Sequence, residues 1–425
     1  MSVSIISSDA TSVTLQLTIP LTSSMLETEE IIQSHLNDAG CVATTKALEQ
    51  FDTNGQAIVQ GGRTWSSKGL YPKTYQTPYG KVSLKRHLYQ TSDGGATFCP
   101  LEKDSRIILT STPRFAQQIC HKYAEMSGRR LVEDLRLNHG RHVTQIFVQE
   151  LTDFVGSIVL AKEESWTYKV PKLSVPIETI SIGIDGTCML MCEERYREAM
   201  VGTISLYDAQ GVRQHTTYVA ASPEYGKSTF LNRMEREVES MSELFPKAYR
   251  QGLADGASEN WDFLMPLTDT QLLDFQHALK YLSDVAKALY PRSSDKRTIW
   301  LEERCHKLKH QPGFAIKLLQ EMEEIKLSQL SQVNQKGVKG ALTYFRNHHH
   351  QMHYAEALDA NLPIGSGVTE SACKVIVKSR LCGAGMKWKD MGAAVVLSLR
   401  TLTYTKGRWD QFWSKINKYG FSLAA

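Results

Sequence analysis

The sequence carries few marks of an exported, membrane-bound or zinc-stapled protein. No apolar run is long enough to cross a bilayer, which takes about 20 residues. The first residues lack a basic segment followed by an apolar one, so no secretion signal is expected. Of the eight cysteines (41, 99, 120, 188, 192, 305, 373 and 382), none forms a CxxC pair. Cys188 and Cys192 fall in an expected strand, where they share a face. The tetrad spacing of a structural zinc site is missing, and reduced thiols in a cytoplasmic protein are the expectation. His348, His349 and His350, with His353 beyond, supply no substitute, because three adjacent residues cannot share one helix face.

At 425 residues, 42% hydrophobic and 22% charged, the chain is expected to be globular with two or three domains. The net charge of +4 conceals a division between its ends. Residues 1–60 hold seven acids against Lys46 alone, a balance of −6, which argues against a DNA face there. Residues 371–425 hold ten Lys or Arg against Asp390 and Asp410, a balance of +8. A basic end of that size favours a polyanionic partner.

Residues 1–110 read as an α+β region with a small β-sheet. An alternating run at 13–19 and a helix at 24–37 precede a sheet at 75–98, punctuated by Thr77-Pro78-Tyr79-Gly80 and Ser92-Asp93-Gly94-Gly95. Lys81, Ser83, Lys85 and His87 are expected on the solvent-facing register of its strand. Residues 111–165 read as a helical bundle. Pro113 suits a first turn with Ser111 or Thr112 as cap, and Ser127-Gly128 and Asn138-His139-Gly140 break the run into three helices. Short helices joined by glycine-containing turns have a helix-turn-helix pattern. Arg129, Arg130, Arg141 and His142 then fall where a recognition helix meets DNA. A three-helix bundle with a solvated charged face has the same pattern.

A proline-containing linker, 166–176, leads to a new domain. Its order is strand (180–192), strand (197–207), strand (216–220), helix (229–244), strand (250–254), the opening of a ribonuclease-H-like α/β domain; residues 177–277 are assigned to the first part of that core. Ile180, Ile182 and Ile184 face one side of the first strand, and Ser181, Gly183 and Asp185 the other. A carboxylate in such a strand is costly to bury unless paired or metal-bound, although Asp185-Gly186 also suits a turn. The fourth strand ends in Leu253-Ala254-Asp255-Gly256-Ala257, and in open α/β sheets ligands bind beyond the carboxyl ends of strands.

Residues 278–355 read as an all-α insertion, nearly neutral in charge, expected to project from the core and contact DNA or a second protomer. Residues 356–425 supply a closing helix and a basic C-terminal region. Ser366 or Gly367 is the expected cap, which puts Glu370 in the first turn. An acid there also suits the helix dipole and pairs with Lys374, terms worth tenths of a kcal/mol to about 1 kcal/mol. Converging, Asp185, Asp255 and Glu370 would repel one another and raise one another's pKa. Two Mg²⁺ or Mn²⁺ ions remove that penalty, since hard cations take oxygen ligands. Ions about 3.5–4 Å apart activate a nucleophile and stabilise the leaving oxygen of a phosphodiester. Lys374 and Lys378 continue the Glu370 stripe and suit the flanking phosphate. Gly383 and Gly385 permit close approach, and Trp388, between Lys387 and Lys389, either stacks on a base or belongs to a core.

The stretches Ile184-Asp185-Gly186-Thr187, Leu253-Ala254-Asp255-Gly256-Ala257 and Pro363-Ile364-Gly365-Ser366-Gly367-Val368-Thr369-Glu370-Ser371-Ala372-Cys373-Lys374 resemble the signatures of DDE transposases of the bacterial, Mutator-related ISKra family. So do Ser111-Thr112-Pro113-Arg114-Phe115-Ala116, Asn138-His139-Gly140-Arg141, Arg380-Leu381-Cys382-Gly383-Ala384-Gly385-Met386-Lys387-Trp388 and Arg408-Trp409-Asp410. The resemblance covers roughly residues 70–413 in order and leaves the first 60 unmatched. It implies a ribonuclease-H-like catalytic core with an all-helical insertion, preceded by a small β region and a helix-turn-helix-like DNA-binding bundle. Asp185, Asp255 and Glu370 would be the catalytic metal ligands, and Arg129, Arg130, Arg141, His142, Lys374, Lys378, Arg380, Lys387 and Trp388 the DNA contacts. Asp274-Phe275-Gln276-His277 is similar to the C/D-xx-H motif of related enzymes, which implies a role for His277 at the site; a helix cap is the plain alternative. The implied protein cleaves and joins the double-stranded DNA of element ends and target, as a homodimer in a synaptic complex, in the bacterial cytoplasm at the nucleoid. A structure-specific nuclease or resolvase of the same fold, or a catalytically inactive DNA-binding regulator, are the rival expectations.

Overall fold

The chain is mixed α/β, and the computed structural model, which describes residues 3–421, divides it into two units. One comprises Met1–Tyr168 with Trp409–Ala425, the other Lys169–Arg408.

In the first unit, Val3–Ser8 (β1) and Val13–Leu17 (β2) form a hairpin. The helix Met25–Glu49 follows, with Ser24 accepting from Glu27 N as its cap. It runs well past the expected end at 37. Gly40 does not stop it, because this glycine serves close packing: a Cβ there would overlap the Tyr79 ring. Ile58–Gln60 (β3), Arg63–Gln76 (β4), Lys81–Thr91 (β5) and Gly94–Phe98 (β6) make an antiparallel sheet in that order. Along β5, Lys81, Ser83 and Lys85 are exposed and Val82 and Leu84 buried, as the alternation anticipates, but His87, expected with the exposed set, is partly buried with its ring 3.0 Å from Asp52 Oδ2. Arg86 also turns inward, donating to Tyr75 Oη at 3.0 Å and Glu102 Oε1 at 3.3 Å.

Helices Pro113–Glu125, Gly128–His139 and Gln145–Glu163 follow, divided where the sequence divides them. Ser127 and Thr144 cap the second and third, and Gly140 closes the second in the left-handed conformation that glycine adopts without penalty. From Trp409 onward the last helix, Arg408–Tyr419, belongs to this unit rather than to the closing region expected over 356–425. Its aromatic stripe explains why. Trp409 meets His121 edge-on at 5.3 Å, Phe412 packs on Trp166 at 5.7 Å, and Arg106 donates to Asn417 O at 3.0 Å.

The second unit is organised on a five-stranded sheet. Thr179–Met191 (β7), Arg195–Tyr207 (β8) and Arg213–Ala221 (β9) run antiparallel, and Tyr249–Ala254 (β10) and Thr270–Leu273 (β11) add parallel to β7, giving the order β11-β10-β7-β8-β9. The helix Ser228–Leu244 carries the chain from β9 back across to β10, the crossover that a parallel neighbour requires. It buries Phe230, Met234, Val238 and Met241 in one core with Ile180, Ile182 and Ile184.

Four helices, Phe275–Leu289, Ser294–His310, Phe314–Glu323 and Gln332–His348, occupy the expected insertion. They do not form a separate, projecting bundle. Leu282, Val285, Leu308, Leu318, Val338 and Phe345 belong to the same continuous core as the sheet's isoleucines. Gly337 and Gly340 lie inside the last of these helices without interrupting it. Among the described residues no helix is long and apolar enough to cross a membrane.

Candidate functional site

β10 pairs with β7 only from Thr179 to Gly183, where Gly183 lies opposite Leu253. Two residues on in each segment come Asp185, still within β7, and Asp255, just past the end of β10. Asp255 is near enough to raise the Asp185 pKa, but among the described residues Asp185, Asp255 and Glu370 do not bring their donor atoms within 4.8 Å of one another. β7 itself continues to Met191 against β8. Asp185 is half buried; Gly186 N donates to its Oδ1 at 2.7 Å. Its pKa is raised, first by burial and then by the charges of Asp255 and Glu370, while the Gly186 amide and the Cys373 thiol pull the other way. Asp255 Oδ1 accepts from Ala257 N at 3.2 Å and Asn260 Nδ2 at 3.3 Å, and its backbone carbonyl accepts from Tyr344 Oη at 2.9 Å. Gly256, at φ +106°, makes the bend that no side-chain-bearing residue takes comfortably.

Glu370 arrives from 115 residues further along, delivered by the fit of one glycine, Gly183, with two threonines, Thr203 and Thr369. The helix Gly367–Ala372 lies over β7 and β8 because Gly183 has no side chain; a Cβ there would overlap Thr369 Oγ1. Thr369 and Thr203, both buried, share a hydrogen bond of 2.7 Å that fixes the docking. One residue on, Glu370 reaches the edge of an open cleft of about 610 Å³, lined also by Asp185, Thr187, Cys373, Lys374 and Lys378. Both lysines are exposed. Cys373 is buried and donates its thiol to Asp185 Oδ2 at 3.5 Å; burial, with the Asp185 charge, holds that thiol protonated.

The helix bearing Glu370 contains a π turn, Cys373–Lys378, before its last residues Ser379–Leu381. Wide turns of this kind unseat backbone carbonyls and are frequent at functional sites. Here a buried arginine meets them: Arg400, 1% exposed, donates to Ile376 O at 2.9 Å, to Val375 O, and to Ser379 Oγ at 3.1 Å. Nothing in the local sequence singles out Arg400; its position in an apolar helical run, Ala393 to Leu402, was the available signal.

His277 lies in the first turn of Phe275–Leu289, with Nε2 3.7 Å from Glu370 Oε1. The helix is capped by Asp274, not by His277: Asp274 Oδ1 accepts from Gln276 N at 3.1 Å and also from Ser366 N at 3.2 Å. Asp274, His277 and Glu370 form a group of possible metal ligands whose donor atoms lie within 4.8 Å of one another.

Of the expected DNA contacts, Arg129, Arg130, His142, Lys374, Lys378 and Lys387 are exposed. Three others are corrected. Arg141, expected at an exposed turn, is 4% exposed; its guanidinium donates to Thr77 O at 3.0 Å and Gln76 Oε1 at 2.9 Å and lies over Phe115. Arg380 is buried with its guanidinium over the Trp388 ring at 5.2 Å. Trp388 is partly buried and structural. Its indole N–H donates to Leu381 O at 2.9 Å, and its backbone bonds Leu190 O and Cys192 N at 3.0 and 2.9 Å, tying the 382–388 loop to the end of β7. An arginine on one ring face and a spent N–H leave little for a base. No protein-family model matches the chain, and no curated protein matches it.

Proposed function

We propose that the chain is a DDE transposase: a divalent-metal-dependent enzyme that binds the ends of an insertion sequence and cleaves and joins DNA strands, on a ribonuclease-H-like core. The observation that carries the reading is the carboxyl end of β10 beside β7: Asp185 and Asp255 follow matching positions of the two strands, Asp185 and Glu370 line one cleft, and the charges of Asp255 and Glu370 both raise the Asp185 pKa. The sheet order, three antiparallel strands extended by two parallel ones, supports the core assignment. The donor set fits Mg²⁺ or Mn²⁺, since it is three carboxylates, one of them half buried and disfavoured as an anion by its two neighbours. Two such ions would be held by Asp185, Asp255 and Glu370 and would supply nucleophile activation and leaving-oxygen stabilisation.

The chain's own groups do the positioning. Cys373 and Gly186 N hold the Asp185 carboxylate in one rotamer. Lys374 and Lys378 line the cleft as phosphate contacts beside the acids. Arg129, Arg130 and His142 offer the exposed polar edge of the helical bundle to the element ends. Joining two ends with one site per chain calls for a dimer.

The test uses DNA spanning the inverted repeats that should flank the gene, incubated with the full chain and Mg²⁺. Asp185→Asn, Asp255→Asn and Glu370→Gln should each lose strand cleavage while retaining the shifted protein–DNA band. Cleavage by Asp185→Asn at the wild-type rate would end the proposal, and cleavage without joining would favour a nuclease.

A further inference from the structure

We propose that Asp274, His277 and Glu370 form a second cation site that takes a zinc-class transition metal and, when filled, withholds Glu370 from Asp185 and Asp255. Two independent observations point to it. The three donor atoms lie within 4.8 Å of one another, and His277 Nε2 is already 3.7 Å from Glu370 Oε1. Separately, Asp274 is fully buried, and while Oδ1 is satisfied by two backbone amides, Oδ2 is buried with no partner among the described residues. A buried carboxylate oxygen left alone is costly, and a cation answers that cost directly.

The scaffold is rigid where a ligand set needs it to be. Asp274 and His277 sit at i,i+3 around the start of one helix, so they share a face. Phe275 N donates to Ile364 O at 3.0 Å and Ser366 N to Asp274, which pins the approach to the Glu370 helix onto the same helix start. One imidazole nitrogen and two carboxylate oxygens, with a fourth position open, are the donors of an open zinc-type site; imidazole selects against Mg²⁺. Metal–ligand bonds of about 2.1 Å put tetrahedral ligands about 3.4 Å apart. The His277–Glu370 pair is nearly there, and Glu370, with its side chain 49% exposed, can close the remainder. Because one carboxylate cannot serve both places in full, occupancy here opposes assembly of the other site. That consequence rests on the function proposed above; the ion site itself does not.

The probe is Co²⁺, titrated into the full-length chain and followed by its visible absorption, with Zn²⁺ as competitor. A His306→Ala/His310→Ala background removes an exposed pair whose rings, 4.7 Å apart, would chelate on their own. One Co²⁺ per chain should bind and be displaced by Zn²⁺. Affinity should fall at least tenfold in His277→Ala and Asp274→Asn, and change less than twofold in Asp255→Asn. Since Asp274 also caps a helix, His277→Ala decides the matter if Asp274→Asn unfolds. No saturable band, or His277→Ala binding within twofold of its parent, would overturn the site. In Mg²⁺-dependent DNA cleavage, Zn²⁺ should inhibit the parent and much less the His277→Ala chain. Zn²⁺ that binds without inhibiting a cleaving enzyme would overturn the exclusion. A chain that binds Co²⁺ but cleaves no DNA would fail the proposed function and leave the site standing.

Discussion

Replacing Gly183 by alanine tests the packing that delivers Glu370. The added methyl would occupy the space of Thr369 Oγ1 and lie close to Thr203 Oγ1, so the Gly367–Ala372 helix must lift from β7. Overpacking of this kind costs about 1–3 kcal/mol. Separating Thr203 from Thr369 forfeits a buried hydrogen bond worth about 0.5–1.5 kcal/mol. Gly183 sits in ordinary extended backbone, so alanine returns about 0.4–1 kcal/mol through the unfolded chain. Central values leave about 2 kcal/mol of destabilisation, or about 4–8 °C in the melting temperature for a unit of this size. A displacement of about 1 Å at the carboxylate should also cost about 100-fold in strand cleavage. The assay is thermal melting of the metal-free chain beside DNA cleavage, with Thr369→Ala and the double variant completing a cycle. In the double variant the methyl fills the place of the removed hydroxyl, and stability should return to within about 1 kcal/mol of Thr369→Ala alone. A Gly183→Ala chain that melts and cleaves like wild type would show that the helix does not dock through this notch.

Four further changes follow from the same structure. Asp185 has a raised pKa when folded, so its contribution to stability is full below the ordinary aspartate range and lost as pH rises through the raised value. Asp185→Asn should therefore raise the metal-free melting temperature at neutral pH while abolishing stabilisation by Mg²⁺; a lower melting temperature there would refute the burial argument. Arg400→Met should destabilise by about 2–5 kcal/mol, since it strands the carbonyls of the π turn, and denaturant unfolding reads it directly. Arg130→Ala should weaken DNA binding and reduce the slope of log affinity against log salt by about 0.9 per lost phosphate contact. Arg141→Ala should instead leave that slope alone and lower the melting temperature, because its bonds are to Thr77 and Gln76 inside its own unit.

Much of this was legible because local chemistry and tertiary structure agreed. The strand boundaries of β7 to β10 follow from alternation and glycine punctuation, and the breaks at Ser127-Gly128 and Asn138-His139-Gly140 divide the helices where the structure does. The errors share one cause. A glycine in a helical stretch reads as backbone freedom, but Gly40, Gly337 and Gly340 each continue a helix, and Gly40 is there so that Tyr79 can approach. Arg141, Arg380 and Arg400 were weighed, or passed over, as charges, but all three are buried donors to backbone carbonyls or partners of aromatic rings. A guanidinium's five donors serve a buried carbonyl as well as a phosphate, and sequence shows the group without showing its partner.

Glu370 makes the same point at the site itself. In sequence it is an acid in a helix's first turn, which the dipole alone accounts for. What makes it more is assembled from three places far apart in the chain. Gly183 admits the helix, Thr203 holds it, and Arg400 stabilises the π turn that follows. Asp274 adds a fourth by tying the loop before the helix to the start of another. Gly183 lies on β7, Thr203 on β8 and Arg400 in a helix, and Asp274 is the cap that joins β11 to the helix Phe275–Leu289. A carboxylate so constrained reaches toward Asp185 on one side and His277 on the other, and its 49% exposed side chain is the only soft part of the arrangement among these groups. On the function and the cation site proposed above, which neighbour it serves is decided by the cation supplied and not by a rearrangement of the fold.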